Sequence, residues 1–405
     1  VKKVFLGLAS IITLILFLGQ FFSYSNGLID LVTDQIPSNC FLSYPTLYTI
    51  FAPFFLIADQ ITLLSLKQHI SFIVFLNMGW FLIRFYLRWG EPFNLKLVLK
   101  EGGKLLLFEV LLSLIYAWAI LVPRPMAALV AKDADTLVID FHSHTQNSWD
   151  ARKSFSIEKN LLWHAGAGFH ATFITDHNVF PDLVPPTFKG VQALRGEEVS
   201  LYQSHWVLLG LDGVLSNTLY DGGTEGIEKF LKDMKKLGRV VFTSLPEYWF
   251  YHWGVELESF IDWGADGFEI ANSAPQALDF PMEFRRAIIE LCRKRNLTVV
   301  GISDNHGWGS TCYTWNLMTI PGWRSLARKD LESAVLHRIK MDRFGAVQVV
   351  ARIKHEPRPF GIARWSDPVF QIWEVSRSIP WTLMLGSLLW MWFPLVFYSK
   401  FSIKK

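Results

Sequence analysis

Five of the eleven histidines in this 405-residue chain, His142, His144, His177, His205 and His306, sit at the ends, or in one case the start, of short β-rich apolar runs. Carboxylates accompany them: Asp140 in DFHSHT, Asp150 in the TQNSWDAR that follows, Asp176 in ITDHN, Glu197 and Glu198 in RGEEVS, Glu269 in GFEIAN and Asp304 in SDNH. Imidazole and carboxylate together suit first-row divalent metal ions, and a set with several carboxylates suits more than one ion held close together. Such a pair or trio lowers the pKa of a bridging water and clamps an anionic substrate, the arrangement that hydrolyses phosphate esters. Side chains two apart on a strand share a face, so His142 and His144 can aim at one ion. Taken singly, each piece has a plainer explanation. Paired histidines are often hydrogen-bonded core residues, TDHN and SDNHG read as Asx-rich turns, and GEEV as a solvated acidic edge. Their joint occurrence, in order and at the ends of successive strands, carries the metal reading.

Positioning these groups requires a sheet. Seven strand candidates follow one another at 136–142, 171–177, 191–200, 205–212, 239–246, 267–272 and 297–306. Helical stretches fit between many of them, for example 156–168, 224–238 and 281–296. Short β-rich runs alternating with helices are the signature of an α/β fold. In a barrel of βα units the carboxyl ends of the strands converge on one mouth, where enzymes of that architecture keep their active sites.

The flanks are of another kind. After Lys2 and Lys3, residues 4–22 form an uncharged apolar run whose length suits a membrane-spanning helix of ~20 residues. It exceeds the apolar core of a secretory signal, and no small-x-small cleavage site follows. Further apolar segments occupy 46–66, 70–83, 105–122 and 380–401, the last with tryptophans suited to an interfacial belt. A composition 51% hydrophobic agrees with these spans. The division expected is a membrane region over 1–125 with three or four spanning or interfacial helices, a water-soluble domain over 130–360, and a C-terminal transmembrane helix over 379–401. A net charge of +3 with no basic stripe argues against nucleic acid as a partner. Cys40, Cys292 and Cys312 have neither metal spacing nor the number for a disulfide framework. Lys and Arg concentrate before residue 4, in 84–104 and after 399, which places those stretches in the cytoplasm and the polar domain outside, as in a bacterial inner-membrane protein. That arrangement needs an odd number of crossings between 41 and 84, where two apolar segments stand.

The runs DFHSHT, ITDHN, RGEEVS, SHWVLLGL, GFEIAN and GISDNHG resemble the successive motifs of the polymerase and histidinol phosphatase (PHP) superfamily. The resemblance covers roughly residues 135 to 310, and the spacing is most specific in the first, second and last motifs. It implies a distorted seven-stranded βα barrel, here flanked by transmembrane helices, holding two or three divalent ions such as zinc, manganese or iron. By the same resemblance His142 and His144 would hold one ion with Asp304 and with Glu198, which bridges to a second ion liganded by His205. Asp150, His177 and His306 would form a third group, although SWDAR departs by one residue from the commoner S-D-G spacing. Glu198, Asp304 and His306 would thus stand where catalysis occurs. Asp140 and Asp176 would lie behind the ligating imidazoles and orient them. One departure matters: TSLPEY places Leu245 where the family has a histidine followed by proline. His252, seven residues on, is a candidate substitute, but its Tyr- and Trp-rich loop suits a packing lid or a membrane-facing surface as well.

Arg152, Arg195 and Asn305 are the candidates for binding a substrate's phosphate, the arginines as charge-assisted donors. Trp149 and Trp308, each beside a motif, would shape the pocket or simply pack. The expectation is a membrane-anchored, metal-dependent hydrolase cleaving a phosphate ester with a metal-activated water. Its substrate would be a phosphorylated small molecule or a lipid-linked one, with membrane lipid as the other partner. Three alternatives stay open: a hydrolase of a non-phosphate bond, a catalytically degenerate membrane-tethered binding module, and a transporter with a regulatory domain. Leu245 favours the degenerate module, and the many other ligand-type residues oppose it. Asp59 and Glu109 are exceptions in apolar segments otherwise poor in ionisable groups, which argues against a transport pathway.

Overall fold

The computed structural model of the chain describes residues 2–24, 26–92, 94–202, 204–244, 257–275, 277–358 and 361–401, so Leu245 and His252 lie outside the described residues. The chain divides into two compact units, one made of residues 1–27, 44–125 and 353–405 and the other of 28–43 and 126–352.

The first unit is helical. Three of its helices are long and apolar enough to cross a membrane by length and composition: Val4–Phe21, Leu66–Leu87 and Leu95–Leu121. The expected segment 46–66 is instead broken into Thr46–Ile50 and Ala52–Leu63, with Pro53 in the first turn of the second helix. Neither piece approaches the ~20 residues a span needs. Asp59 in that second helix is buried against Arg124, whose Nη1 lies 2.6 Å from Asp59 Oδ1, while the Tyr48 hydroxyl donates to Oδ2 at 2.9 Å. Leu66–Leu87 starts on a capping box in which the Ser65 hydroxyl accepts from Gln68 N and the Gln68 side chain accepts from Ser65 N. A helix over Asp367–Ser378 precedes the C-terminal one, Trp381–Phe401, and belongs to this unit, whereas the expected division gave 130–360 to the polar domain and left 361–378 unassigned.

The second unit is a mixed α/β domain. Its strands in chain order are β1 Leu28–Asp30, β2 Cys40–Ser43, β3 Ala128–Ala131, β4 Thr136–Ser143, β5 Ala171–Ile174, β6 Thr187–Phe188, β7 Val191–Leu201, β8 Ser204–Leu209, β9 Val240–Thr243, β10 Gly267–Asn272, β11 Thr298–Ile302, β12 Thr314–Thr319 and β13 Gln348–Arg352. Eleven of them form one sheet with the path β1-β13-β12-β4-β5-β7-β8-β9-β10-β11 and β6 on the side of β7, while β2 and β3 pair separately. Parallel pairing joins β4, β5 and β7, and again β9, β10 and β11; β8 runs antiparallel between the two sets. All seven strands expected from the sequence are present, and the sheet is larger than the seven-stranded one expected. It curls until the segment after β11 meets the end of β4, where Asp304 N donates to His142 O at 3.0 Å and His144 N to Asn305 O at 3.1 Å.

Every residue of β4 is buried, as befits a strand covered on both faces. Phe141 on β4 packs on Phe173 of β5 at 5.9 Å and on Phe242 of β9 at 5.7 Å. Since β4 and β9 are not neighbours in the sheet, these rings fill the interior of the curl. Outside it lies the helix Ile157–Ala167, which ends at Gly168 with φ +89°, where a Cβ would collide with the Leu129 carbonyl. The strands β12 and β13 and the helix Arg328–Asp342 extend the unit beyond the expected elements.

Candidate metal centre

The carboxyl ends of β4, β5, β7 and β11 deliver their polar residues to one place. His142 Nε2 and His144 Nε2 lie 3.0 Å apart, and Glu198 Oε2 is 3.0 Å from the first and 3.2 Å from the second. Asp304 Oδ1 completes this group at 3.1 Å from His144 Nε2 and 3.5 Å from His142 Nε2. The other oxygen of Glu198 stands 3.2 Å from His205 Nδ1, and His177 Nδ1 is 3.2 Å from Glu198 Oε2, so one carboxylate joins two sets of imidazoles. A third set forms around Asp150, whose Oδ2 is 3.3 Å from His177 Nε2 and 3.0 Å from His306 Nε2. Three trios offer ligand atoms all within 4.8 Å of one another: His142, His144 and Asp304; His177, Glu198 and His205; His144, His177 and His306. The one-residue offset of Asp150 does not keep it from the cluster, because a loop absorbs it.

Partners on the far side of each ring fix how it is presented. His142 Nδ1 donates to Glu269 Oε1 at 2.8 Å, leaving Nε2 aimed at the centre. His144 Nδ1 meets the Ser148 hydroxyl at 2.8 Å, and that hydroxyl donates onward to Asp176 Oδ1 at 3.1 Å. Asp176 is itself held by the Thr145 backbone and hydroxyl, both at 2.6 Å. His306 Nδ1 donates to the Asp304 carbonyl at 2.7 Å, which turns its Nε2 towards Asp150. Asn272 Nδ2 donates to Asp304 Oδ2 at 3.2 Å, and the Ser244 hydroxyl to Glu198 Oε1 at 2.9 Å.

Charge is concentrated and buried here. Burial alone would raise Glu198, but the His142 charge beside it and hydrogen bonds from His142, His144 and His205 hold it well below the usual carboxylate range. Asp304 is held down in the same way against burial, chiefly by His306 and His142, and Asp150 by His177 and His306. In the other direction burial would lower the histidines, yet Glu198, Asp304 and Glu269 lift His142 well above its ordinary value, and hydrogen bonds to Asp304 and Glu198 bring His144 up to about 9. His205 is raised too, by Glu198 acting against burial. The raised histidines report a buried carboxylate field that favours positive charge here, which a cation would satisfy by displacing the protons from the imidazoles. Asp150 Oδ1, which has no hydrogen-bond partner among the described residues, fits the same view.

Other expected residues fall elsewhere. Asp140 does not stand behind His142 or His144: its Oδ2 meets His164 Nε2 at 3.0 Å and the Ser303 hydroxyl. The pairing register between β4 and β5 shifts between Asp140 and Ser143, and such an irregularity re-aims side chains, so the two-residue spacing from Asp140 to His142 no longer means a shared face. Arg195 is three residues from Glu198 on β7 and takes the opposite face, with its guanidinium 5.3 Å from the Phe180 ring and its backbone N–H on Glu332. Arg152 does reach the rim, where its backbone N–H donates to His306 O and its guanidinium lies 5.2 Å from the Trp308 ring. Asn305 is 5% exposed, and its Nδ2 donor has no acceptor among the described residues. Trp149, 72% exposed, leans towards His177 at 5.9 Å between ring centroids. Glu269 stood at a strand end in the sequence without a role, and Ser148, Ser244 and His164 carried no signal of theirs.

No family model matches the chain, and no curated protein matches it. Solved structures to which it is similar include PsfC from Pseudomonas syringae, at 14% identity and a TM-score of 0.38, covering 60% of this chain and 98% of that one. A two-domain protein from Bacteroides vulgatus, described as containing a predicted PHP-like metal-dependent phosphoesterase, is 18% identical with a TM-score of 0.34, over 53% of this chain and 64% of that one. The lesion-specific endonuclease EndoQ from Pyrococcus furiosus is 11% identical with a TM-score of 0.35, over 49% and 55%.

Proposed function

We propose that the chain is a membrane-anchored, metal-dependent phosphoesterase whose α/β unit is a distorted barrel of the PHP type. The observation that carries this reading is the convergence of His142, His144, His177, His205 and His306 with Glu198 and Asp304 into overlapping groups of ligand spacing, with Asp150 set between His177 and His306. His142, His144, Glu198 and Asp304 would hold one divalent ion, Glu198, His177 and His205 a second, and Asp150, His177 and His306 a third. Bound there, such ions supply Lewis acidity towards a phosphoryl oxygen and acidify water at neutral pH. The protein's own part is orientation and charge. Glu269 and Ser148 fix the two central rings, and Glu198 joins the ligand groups. The Asn305 Nδ2, one residue from Asp304 and without an acceptor among the described residues, supplies a buried donor for a phosphoryl oxygen. Arg152 stands at the rim as a cation for the remaining charge.

Three helices of membrane-crossing length and apolarity support the anchor, and Leu66–Leu87 is the only described helix between residues 41 and 87 that reaches that length. A single crossing there gives the odd parity that the basic clusters require, which favours an extracytoplasmic catalytic unit acting on a phosphorylated small molecule or a lipid-linked phosphoester.

The test is to measure bound metal in the purified full chain and to assay phosphomonoesters, phosphodiesters and carboxylic esters, beside a His142→Ala/His144→Ala double variant. Metal-dependent turnover of a phosphoester that disappears in the double variant is the expected result. Protein inactive after manganese, zinc and iron are each supplied, or a double variant as active as the parent, would sink the reading.

A further inference from the structure

We propose that His164 is a positioning residue for Asp304, acting through Asp140 and Ser303; the inference rests on the metal-centre reading above. His164 lies in the helix Ile157–Ala167 and is wholly buried, boxed by the rings of Trp163 and Phe169 at 5.1 Å each. Both its nitrogens face oxygens: Nδ1 the Asn160 carbonyl at 2.8 Å and Nε2 the Asp140 carboxylate at 3.0 Å. Asp140, also fully buried, gathers four donors. Its Oδ2 takes His164 and the Ser303 hydroxyl, and its Oδ1 takes the backbone N–H of Ser303 at 3.2 Å and of His142 at 3.4 Å.

This carboxylate therefore ties the strand bearing His142 to the residue immediately before Asp304. Asp304 needs such a tie. Its φ of +47° is a left-handed conformation that is uncommon for a residue with a Cβ and that neighbouring hydrogen bonds help to hold. Ser303, pinned at both N and Oγ, sets the direction in which the chain enters that conformation, and the turn then presents Oδ1 to His144. With His164 removed, Asp140 loses one of its four donors, the one from the helix, and the carboxylate that anchors the Ser303–Asp304 turn is held less firmly. The helix-covered face of β4, remote from the ligand cluster, thereby controls one of its members. Outer partners of this kind commonly set metal affinity within a 10–100-fold range.

The experiment is a Co2+ titration of the metal-stripped full chain in detergent, read by cobalt absorbance and equilibrium dialysis, on the parent and on His164→Leu, His164→Gln and Ser303→Ala variants. His164→Leu and Ser303→Ala should each weaken Co2+ binding about 10-fold or more. His164→Gln, which keeps an N–H donor for Asp140, should stay within about 3-fold of the parent, a rescue that a purely space-filling role would not give. A His142→Ala/His144→Ala control should abolish binding. Parent protein that takes up no Co2+ overturns the metal-centre reading itself. Parent-like affinity in His164→Leu and Ser303→Ala, with the double variant still dead, overturns the positioning role and leaves the metal centre standing; so does a Gln variant as weak as the Leu one. If His164→Leu does not fold, Ser303→Ala decides by the same criterion.

Discussion

Glu269 Oε1 lies 2.8 Å from His142 Nδ1, with both side chains fully buried and on strands, β10 and β4, that are not paired with each other. The contact spans the curl of the sheet and sets which nitrogen of His142 faces the cluster. A carboxylate in that position makes the imidazole a better ligand and fixes its rotation. Glu269→Ala should therefore lower metal affinity by about 10- to 100-fold, while Glu269→Gln, which still accepts from Nδ1 but carries no charge, should lower it less. Equilibrium dialysis of the two variants against zinc or manganese checks the order; equal loss in both would assign the whole effect to the charge and none to the retained hydrogen bond.

Asp150 bridges His177 and His306, whereas His142 is met by Glu198, Glu269 and Asp304. Asp150 thus distinguishes a centre with a third ion from one with two. Asp150→Asn should reduce the bound metal by one ion per chain and leave the His142, His144 and Asp304 group loaded. Elemental analysis of purified parent and variant, prepared side by side, reads this directly. The same stoichiometry in both would place Asp150 outside the ligand set.

Much of the cluster was legible because ligand types fell at the ends of strands, and strand ends in a curled parallel sheet converge. His142, His144, His177, Glu198, Asp304 and His306 came together on that logic, and His205 joined them because β8 runs antiparallel and its start lies opposite Ser200 near the end of β7. Asp140 and Arg195 show its limit. The resemblance placed Asp140 behind the ligating imidazoles, yet it turns to His164 and Ser303 beside a register shift, a tertiary feature without a local sequence signal. Arg195 was chosen for its charge beside Gly196, but its odd spacing from Glu198 already assigned it to the other face. Glu269 needed knowledge of which strands face each other across the curl. Residues 23–45, between the apolar segments 4–22 and 46–66, read as a loop, yet Leu28–Asp30 pairs with β13 and Cys40–Ser43 with β3, non-local pairings that three- or four-residue strands cannot announce.

The buried Asp59 and Arg124 make a prediction for the helical unit. Their oxygen and nitrogen stand 2.6 Å apart with side chains only 1% and 2% exposed. Removing one member of a buried ion pair strands the other in an apolar setting, at a cost of about 3 kcal/mol or more. Asp59→Leu should lower the thermal midpoint and yield of the full chain in detergent, and the double variant Asp59→Leu/Arg124→Met should recover part of the loss. A double variant as unstable as the single one would show that the pair does more than neutralise itself.

His170 provides the clearest pH dependence away from the candidate metal ligands. Burial, reinforced by the Arg324 charge, brings its pKa down from an ordinary 6.5 to about 4. The geometry agrees: Nδ1 accepts the Val138 N–H at 3.0 Å, and the ring stacks on Trp323 at 4.4 Å, so a proton on Nδ1 would break the bond to β4. Because the unfolded chain takes up a proton near pH 6.5 and the folded one only near pH 4, the unfolded state binds more protons between these values and stability rises with pH. The stabilisation is fully present above pH 6.5 and is lost as pH falls towards 4. Each tenfold difference in proton affinity is worth ~1.4 kcal/mol, so with solvent screening of the partly exposed ring the whole effect is about 2 kcal/mol. Thermal midpoints of the parent measured between about pH 4 and pH 7 should fall on the acid side. In His170→Gln, whose side-chain oxygen can still accept from Val138 N, that part of the slope should vanish while the carboxylates of the cluster keep theirs. Identical slopes in the two proteins would mean that His170 titrates alike folded and unfolded.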